Sequence, residues 1–361
     1  MPEMLRGALQ YQILRYMRFR FMSSLSLIQK LASHSTQQTP DFAQDRCLRK
    51  RLTSCDCKEC INVCTSDAIS FRDHVISFDA GACSGCMLCA KACPNDAFVF
   101  SEFDPKSLYS SENVAELVVI SCHKQSQIYP EERLVPCLGG IATEYLLAMN
   151  MFGESTIAFN VTSCVDCQNN HGVTDFLHRL AWLKQTKGFL LKRKCVVIKD
   201  QKEVTTLDQS SRRSFLSGLR ESFSETIAAQ FSFDTDSSKP AARTSRRIPA
   251  RVKIKKHLME KVASRDRQVL SSLINHRLTI SKACNLCPLC KGICPTGAIK
   301  IERIEQQKEL TFDDTLCSGC GLCVSFCPQN ALSLKYPELW TKADTTGRKS
   351  SSVEDWISLA E

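Results

Sequence analysis

One arrangement of cysteines recurs along the sequence and restricts what the chain can fold into. The arrangement is C-x2-C-x2-C-x3-C-P, and one copy consists of Cys317, Cys320, Cys323, Cys327 and Pro328. The other two exact copies contain Cys83, Cys86, Cys89, Cys93 and Pro94, and Cys284, Cys287, Cys290, Cys294 and Pro295. Three copies in 361 residues are not expected by chance. Each segment that carries a copy must therefore fold with four closely spaced thiol groups.

The spacing predicts that these cysteines bind cubane [4Fe–4S] clusters. Three cysteines at two-residue intervals bend a short loop around one cube and direct three thiolates at three different irons. The fourth cysteine faces away from that cube and ligates the neighbouring cluster. The proline after it interrupts the local backbone pattern. Two consecutive runs therefore form one unit with two clusters.

A fourth, incomplete copy lies upstream of the first exact one. It retains three cysteines, Cys57, Cys60 and Cys64. Alignment of the two halves of the chain places Ser54 opposite Cys284, the first cysteine of the corresponding exact copy. Since serine is not a usual cluster ligand, this run needs a fourth thiolate from elsewhere.

Two cysteines are candidates for the missing thiolate. Cys55 lies one position along, although a Cys55-x-Cys57 pair would strain the standard loop. Cys47 lies upstream and needs a longer excursion of the chain. A cluster with three cysteines and one open iron is a third alternative, and the sequence leaves all three open. Thr65, in place of the usual proline, is a second difference between this run and the exact copies.

Residues 52–102 and 280–336, roughly a third of the chain, resemble the bacterial two-[4Fe-4S] ferredoxin family. The resemblance implies two ferredoxin-like units, at residues 47–105 and 276–336, which carry four [4Fe–4S] clusters and transfer electrons. The candidate ligands are Cys47, Cys55, Cys57, Cys60, Cys64, Cys83, Cys86, Cys89, Cys93, Cys284, Cys287, Cys290, Cys294, Cys317, Cys320, Cys323 and Cys327.

The segment between the two units alternates predicted strands and helices. The predicted elements are strands at 115–120, 156–161 and 195–198, and helices at 141–151 and 173–184. Such alternation is typical of a small parallel sheet. We therefore expect an α+β protein in which the two ferredoxin-like units flank an independent α/β parallel-sheet domain at residues 110–202.

Four cysteines of this central segment follow predicted strands. They are Cys122, Cys137, Cys164 and Cys167. Loops at the carboxyl ends of parallel strands converge on ligands, so the four thiolates are expected to meet around one metal centre. Ordinary buried cysteines are the alternative. His123 and His171 are expected to support the structure rather than to bind the metal.

The sequence Val135-Pro136-Cys137, together with residues 163–172, resembles the delta subunit of methyl-viologen-reducing hydrogenases over about 60 residues. That family carries a [2Fe–2S] centre and works beside heterodisulfide reductases, so the resemblance implies a [2Fe–2S] cluster in the central segment. The chain departs from the family at Gln125, which replaces a second early cysteine, and in the closer spacing of the last cysteine pair. Zinc on the same thiolates is the alternative.

Composition narrows the remaining classes of function. The clustering of 22 cysteines, with no visible signal peptide, favours metal binding in a reducing, cytoplasmic compartment over a disulfide framework. The formal net charge is +9, but an oxidised cubane with four thiolates carries about −2. Four clusters would therefore bring the loaded protein close to neutrality, and no motif indicates nucleic-acid binding.

The other segments are expected to be linkers and tails. They are a leader and polar linker at 1–46, a basic linker at 203–275 and a polar tail at 337–361. Arginines interrupt every apolar window in residues 1–35, which excludes a transmembrane helix there. A disordered or mis-started leader, with Met22 as an alternative start, is favoured over an amphipathic helix on a membrane surface.

The basic linker contains two further features. Residues 239–267 hold eleven Lys/Arg and two Asp/Glu, which predicts an extended, solvated segment or one that docks on an acidic partner. Residues 211–216 match a twin-arginine export signal, but such signals are N-terminal and no apolar stretch follows here. We therefore favour coincidence or a docking helix for residues 211–216.

The sequence predicts an iron–sulfur protein that relays electrons through four [4Fe–4S] clusters and one central [2Fe–2S] centre, between a redox donor and a redox acceptor. The alternative is an iron–sulfur subunit of a larger oxidoreductase of the hydrogenase, formate dehydrogenase or disulfide reductase type. A zinc or scaffold protein is a second rival. No flavin or nicotinamide motif and no acid–base constellation indicates a substrate site of its own.

Overall fold

The computed structural model describes residues 39–52, 54–72, 75–101, 103–108, 117–125, 132–152, 156–187, 194–200, 203, 246–304 and 307–338. The chain divides into two units, Met1–Gln38 and Thr39–Glu361, and all described residues belong to the second. The predictions for the leader at 1–35, for the export-like sequence at 211–216 and for most of the tail fall outside the described residues.

The first cysteine-rich unit contains two short antiparallel ribbons. Its strands are β1 (Asp41–Phe42), β2 (Ile69–Arg72), β3 (Val75–Phe78) and β4 (Phe98–Val99), and its helices are α1 (Leu48–Arg51), α2 (Glu59–Asn62) and α3 (Leu88–Ala92). Strands β2 and β3 form a hairpin, and β1 pairs with β4. The stacked rings of Phe42 and Phe98, with centroids 4.9 Å apart, join the first and last strands of the unit.

Strand β1 corrects the predicted boundary of this unit. It lies within residues that the sequence assigns to a polar linker ending at residue 46, yet Asp41 and Phe42 pair with Val99 and Phe98. The unit therefore begins before residue 47. A strand of two residues offers no alternation of apolar and polar side chains to detect, and its partner is distant in sequence.

The central segment forms a four-stranded parallel sheet. Its strands are β5 (Leu117–Cys122), β6 (Arg133–Val135), β7 (Thr156–Asn160) and β8 (Cys195–Ile198), in the order β6-β5-β7-β8. All three pairings are parallel. Helices α4 (Thr143–Met151) and α5 (Asn170–Lys187) contribute buried side chains to its core. The predicted strands at 156–161 and 195–198 and both predicted helices are confirmed, within a few residues at their ends.

Two helices occupy the end of the segment predicted to be a basic linker. They are α6 (Ala250–Lys261) and α7 (Arg267–Ile274), and their apolar side chains join the core of the central sheet. The prediction of an extended, solvated segment is therefore wrong for residues 250–274. Ile254, Leu258 and Val262 recur every four residues and form a buried stripe. The lysine-rich composition obscures this stripe, because Lys256 and Lys261 lie on the exposed face.

These helices also correct the view of the central segment as independent. Leu258 and Leu270 are fully buried and belong to the same apolar cluster as Phe159 of β7 and Phe176 of α5. The rings of Phe159 and Phe176 meet edge to face at 4.9 Å. A fragment of residues 110–202 would lack α6 and α7 and would expose this apolar surface.

The second cysteine-rich unit repeats the pairings of the first. Its strands are β9 (Arg277–Ile280), β10 (Ile299–Ile304), β11 (Gln307–Phe312) and β12 (Leu332–Lys335), and its helices are α8 (Leu289–Ile293) and α9 (Leu322–Ser325). Strands β10 and β11 form a hairpin, and β9 pairs with β12. Each unit thus consists of one inner hairpin and one pair of outer strands, with a cysteine run before and after the hairpin.

The turn before α4 packs closely on the first cysteine-rich unit. Gly140 lies against Met87, between Cys86 and Cys89, so closely that a Cβ at position 140 would lie 2.0 Å from the Met87 Cβ and 3.1 Å from its Cα. Met87 is buried and has a φ of 60°. Only a residue without a side chain fits at position 140 without displacing the cysteine loop.

We expect Gly140→Ala to destabilise the protein by about 1–3 kcal/mol, the usual cost of overpacking a tight contact. The measurement is the denaturation midpoint of the anaerobically purified full chain. Gly292→Ala is the matched control, since nothing lies within 4 Å of the added Cβ and alanine is favoured in a helix by about 1 kcal/mol. A Gly140→Ala midpoint equal to that of the unaltered protein would contradict the close approach.

Candidate metal centres

All four cysteine runs end in the same backbone turn. The third residue after the last cysteine has a positive φ in every run: Asp67 (52°), Asp96 (51°), Gly297 (77°) and Asn330 (48°). These are the residue types that adopt the left-handed region most readily, and an alanine follows each of them. The incomplete run thus keeps the turn of the exact copies, although it lacks their first cysteine and their proline.

Backbone amides point at several of the cysteine sulfurs. The alanine N–H after the turn donates to the fourth cysteine, from Ala97 to Cys93 Sγ at 3.2 Å and from Ala331 to Cys327 Sγ at 3.3 Å. In two runs the first cysteine accepts from a glycine two residues on, Cys83 from Gly85 and Cys317 from Gly319, both at 3.4 Å. Donors of this kind stabilise thiolates and tune cluster potentials, so the loops fit the predicted ligands.

Group A consists of Cys47, Cys57, Cys60 and Cys93. Burial, followed by the negative charges of the other three members, raises the pKa of the Cys60 thiol to about 12. Cys47, Cys60 and Cys93 also pack in one apolar cluster, together with Cys64 and Cys89. Cys93 is the fourth cysteine of the following run, so it lies with the run before it, as the crossed pattern predicts.

The two candidates for the missing thiolate lie in different surroundings. Cys47 caps α1, and Arg49 of that helix donates from Nε to the Cys57 carbonyl at 2.5 Å. Helix α1 thus forms part of the longer chain segment that separates Cys47 from Cys57. Cys55 is buried in another apolar cluster, with Ile293 of the second unit and with Cys57. After burial, its charge contributes to the raised pKa of Cys57.

Group B consists of Cys64, Cys83, Cys86 and Cys89. Burial raises the pKa of the Cys83 thiol, and charges on Cys86 and Cys64 add to it. Burial likewise raises the pKa of Cys89 well above its ordinary value, with contributions from Cys86 and Cys83. Cys64, the last cysteine of the incomplete run, thus lies with the run that follows it.

Group C consists of Cys294, Cys317, Cys320 and Cys323. Burial raises the pKa of Cys323 to about 12 and that of Cys320 to about 11, and in both cases Cys294 and Cys317 contribute. Group D consists of Cys284, Cys287, Cys290 and Cys327. Burial raises the pKa of Cys290, followed by charges on Cys287 and Cys284. Cys327 packs in the same apolar cluster as Cys290, and Cys323 of group C packs there as well.

Three of the groups are neighbours in space, in the order B, A, C. Cys60 of group A contributes to the raised pKa of Cys89 in group B, after burial and the charges of Cys86 and Cys83. Across the two units, Cys57 of group A packs in one apolar cluster with Cys320 of group C. Groups A and C therefore lie on either side of the join between the two units.

The central group consists of Cys122, Cys137, Cys164 and Cys167. Cys122 ends β5, Cys137 follows β6, and the last pair follows β7. Burial raises the pKa of Cys137 to about 12, with charges on Cys122, Cys86 and Cys167 contributing. The structure thus brings the four predicted cysteines together and brings Cys86 of group B next to them.

Polar side chains connect the central group to group B. Gln125 is buried and donates from Nε2 to Cys164 Sγ at 3.2 Å. Lys124 Nζ and Asn169 Nδ2 both donate to the Ser84 carbonyl at 3.1 Å, inside the group B loop. The loop of group B is therefore held by the loops of the central group.

The two histidines singled out in the sequence lie beside this contact. The backbone N–H of His123 donates to the Val135 carbonyl at 3.1 Å. His171 Nε2 lies 3.3 Å from the hydroxyl of Thr65, the residue that replaces proline in the incomplete run. Thr65 thereby contacts the central domain, which a proline side chain at this position could not do by hydrogen bonding.

In the described part of the chain, no three His, Cys, Asp or Glu side chains converge closely enough to share one metal ion. In a cubane each thiolate binds a different iron, so its ligands do not share an ion either. The raised pKa values of Cys60 and Cys323 indicate that these buried thiols stay protonated at neutral pH without metal, so metal binding would release their protons.

Two segments of the chain match protein-family models. Residues 283–334 match the family model of a 4Fe-4S dicluster domain, and residues 76–99 match that of a 4Fe-4S binding domain. No curated protein and no solved structure matches the chain. These matches support an iron–sulfur protein with ferredoxin-type, metal-binding domains and an electron-transfer role. No described helix is both long and apolar enough to cross a membrane.

Sequence reasoning missed two charged residues beside these groups. Arg251 and Lys255 of α6 are buried, although the sequence assigns both to a solvated linker. Their spacing of four residues, in register with Ile254 and Leu258, is the signal that would have placed them on the inner face of a helix. Both side chains reach carbonyls of cluster-binding loops.

Proposed function

We propose that this protein relays electrons through four [4Fe–4S] clusters, held by groups A to D, and one further iron–sulfur centre held by the central group. The order along the path is central group, B, A, C and D. The observation that carries the proposal is that neighbouring groups lie close together. Cys57 packs in one apolar cluster with Cys320, and Cys323 in another with Cys290. The charge of Cys86 acts on Cys137, and that of Cys60 on Cys89. A bound cluster takes up or releases one electron at a time.

In this proposal, the residues around the clusters exclude water and stabilise the ligand sulfurs. Burial of group B thiols, such as Cys83 and Cys89, keeps water from the inner part of the path. Amide donors such as Ala97 stabilise the ligand sulfurs. Both effects tune the potential at which a cluster accepts its electron.

The two ends of the proposed path are more exposed than its middle. At the group D end, Leu289 between Cys287 and Cys290 is 44% exposed, and Pro288 is exposed beside it. At the central end, Val165 between Cys164 and Cys167 is 39% exposed. We propose that a redox donor and a redox acceptor dock at these two ends, a hydrogenase or formate dehydrogenase being one class of partner.

The test is anaerobic purification or reconstitution of the full chain, followed by iron and sulfide analysis. We expect about 16 irons per chain from the four cubanes, plus about two from a [2Fe–2S] centre. EPR spectra of the reduced protein should show interacting [4Fe–4S] clusters. Fewer than about eight irons per reconstituted chain would contradict two complete two-cluster units.

We further propose that Cys47 rather than Cys55 completes group A, since Cys47 is an electrostatic neighbour of Cys60 and α1 ties it to Cys57. Cys47→Ser should lose most of one cubane, about four irons, whereas Cys55→Ser should retain it. Iron analysis and alkylation of freed thiols in the full chain measure the difference. The reverse outcome would assign the ligand to Cys55, and retention in both variants would indicate a three-cysteine cluster.

A subunit of a larger oxidoreductase is the second candidate. The resemblance of Val135-Pro136-Cys137 and residues 163–172 to a hydrogenase delta subunit supports it. A catalytic subunit that co-purifies in stoichiometric amount under anaerobic conditions would favour a subunit. Isolation of the loaded chain alone, with electron transfer to added acceptors, would favour a free carrier.

A further inference from the structure

Helix α6 lies between the two cysteine-rich units and extends one buried cation toward each. Arg251 is 7% exposed, and its guanidinium donates to the Lys91 carbonyl at 2.6 Å and to the Cys93 carbonyl at 2.8 Å. Arg251 thus binds the backbone of Cys93, a member of group A in the first unit.

Lys255 does the same in the second unit. It lies one helical turn after Arg251, is 2% exposed, and donates from Nζ to the Asp314 carbonyl at 3.0 Å and to the Cys317 carbonyl. Cys317 belongs to group C. The two cations therefore contact group A and group C, which lie on either side of the join between the two units.

Both cations act on the ligand thiols. Burial raises the pKa of Cys93, and the charge of Arg251 opposes that rise. Burial also raises the pKa of Cys317, and the charge of Lys255 opposes it. In each case the cation favours extra negative charge at the cluster ligand.

Other charged groups surround the pair. Glu144, Asp96 and Asp314 are its acidic neighbours. Asp96 Oδ2 accepts from the Ala250 N–H at the start of α6, and Asp314 Oδ2 accepts from Ser271 and Asn275 of the α7 end. The charge of Asp96 adds to the raised pKa of Cys93 and that of Asp314 to the raised pKa of Cys317, in each case by less than the neighbouring cation opposes it.

One further titratable side chain faces the same gap. Burial lowers the pKa of His276 to about 3, with the charges of Lys255 and Arg251 contributing. His276 is therefore neutral at physiological pH and adds no charge beside the two cations.

We propose that Arg251 and Lys255 raise the reduction potentials of the clusters bound by groups A and C, so that electrons on the path reside preferentially at the join between the two units. The inference rests on the proposed four-cluster function. One-electron reduction adds one negative charge to a cluster, and a buried cation stabilises that charge strongly because solvent screening is weak there.

The redox balance of each transfer is simple. One cluster passes from the 1+ to the 2+ core state while its neighbour passes from 2+ to 1+, with no bond formed or broken and no proton moved. In the experiment, dithionite supplies the electrons. Arg251 and Lys255 change only the equilibrium between neighbouring clusters.

The test compares Arg251→Gln, Lys255→Gln and the double variant with Lys256→Gln in the loaded full chain. Glutamine keeps an amide donor but removes the charge. Lys256 is the matched control, because it is the next residue on α6 and its side chain is 55% exposed. A reductive titration with dithionite, followed by EPR, gives the midpoint of each cubane.

We expect each single variant to lower the midpoint of one cubane by about 59 mV, a tenfold change in a one-electron equilibrium, and the double variant to lower two. Lys256→Gln should change none. Lys255→Arg, which keeps the charge, should restore the original midpoint. Unchanged midpoints in fully loaded Arg251→Gln and Lys255→Gln proteins would overturn the inference.

Iron content separates failure of this inference from failure of the proposed function. If the unaltered chain binds about 16 irons and the variants match its potentials, only the role of the two cations is wrong. If the unaltered chain does not bind four cubanes, the proposed function itself is wrong. If a glutamine variant folds poorly, Lys255→Arg and Arg251→Lys still test the charge, since both should keep the original midpoints; a lowered midpoint in either would overturn the inference.

Discussion

Cys294→Ala should remove the cluster bound by group C and leave the cluster of group D in place, although Cys294 belongs to the same run as Cys284, Cys287 and Cys290. The reason is that Cys294 contributes to the raised pKa values of Cys320 and Cys323, after burial in both cases. The iron content should fall by about four of the roughly 16 cubane irons per chain.

Alkylation shows which cluster has been lost. Anaerobic treatment with iodoacetamide followed by mass spectrometry should label Cys317, Cys320 and Cys323 in the Cys294→Ala protein and leave Cys284 and Cys287 protected. Cys195→Ser is the control, because Cys195 lies outside all five groups and accepts a hydrogen bond from Asn150 at 2.9 Å, which a serine can also accept.

The reciprocal variant completes this test. Cys327→Ala should free the group D thiols Cys284, Cys287 and Cys290, since Cys327 packs in the apolar cluster of Cys290. Loss of the cluster within the same run, in either variant, would contradict the crossed ligation and with it the assignment of groups C and D.

The parts of the fold that the sequence predicts are those with strong local signals. The apolar runs at 156–161 and 195–198 form the expected parallel strands. The cysteine spacing predicts which thiols belong to a run, since that depends on short loops. Helix α6 was missed because its buried stripe, with Ile254 and Leu258, is embedded among lysines and arginines that dominate the composition.

The order of the groups could not be predicted from the sequence, because it depends on packing between distant segments. Cys55 and Leu48 of the first unit pack on Ile293 and Leu322 of the second. No periodicity encodes such a pairing. The choice between Cys47 and Cys55 depends in the same way on where helix α1 packs.

Replacement of Cys164 and Cys167 by serine together should abolish metal binding at the central group and leave the four cubanes in place. Burial raises the pKa of Cys164, and the charges of Cys122, Cys137 and Cys167 add to it. Loss of two of four ligands leaves Cys122 and Cys137 unable to hold a cluster. The expected change is a loss of about two irons from about 18, together with the EPR signal of a [2Fe–2S] centre.

The measurement uses the full chain, because α6 and α7 complete the core of the central sheet. Zinc analysis of the same samples tests the alternative metal, which would need four sulfurs about 2.3 Å from one ion. Gln125→Ala is a useful companion, since it removes the donor to Cys164 Sγ but no thiol. It should keep the metal and shift its potential.

The central group also tests how metal binding and folding are coupled. Its thiols come from three loops, so bound metal should stabilise the sheet edge and chelation should loosen it. The contact of Lys124 and Asn169 with the Ser84 carbonyl should transmit that loosening to group B. If the unaltered chain carries no metal beyond four cubanes and Cys122, Cys137, Cys164 and Cys167 alkylate freely, these are ordinary buried cysteines. The electron path would then end at group B, and a partner would have to dock there instead.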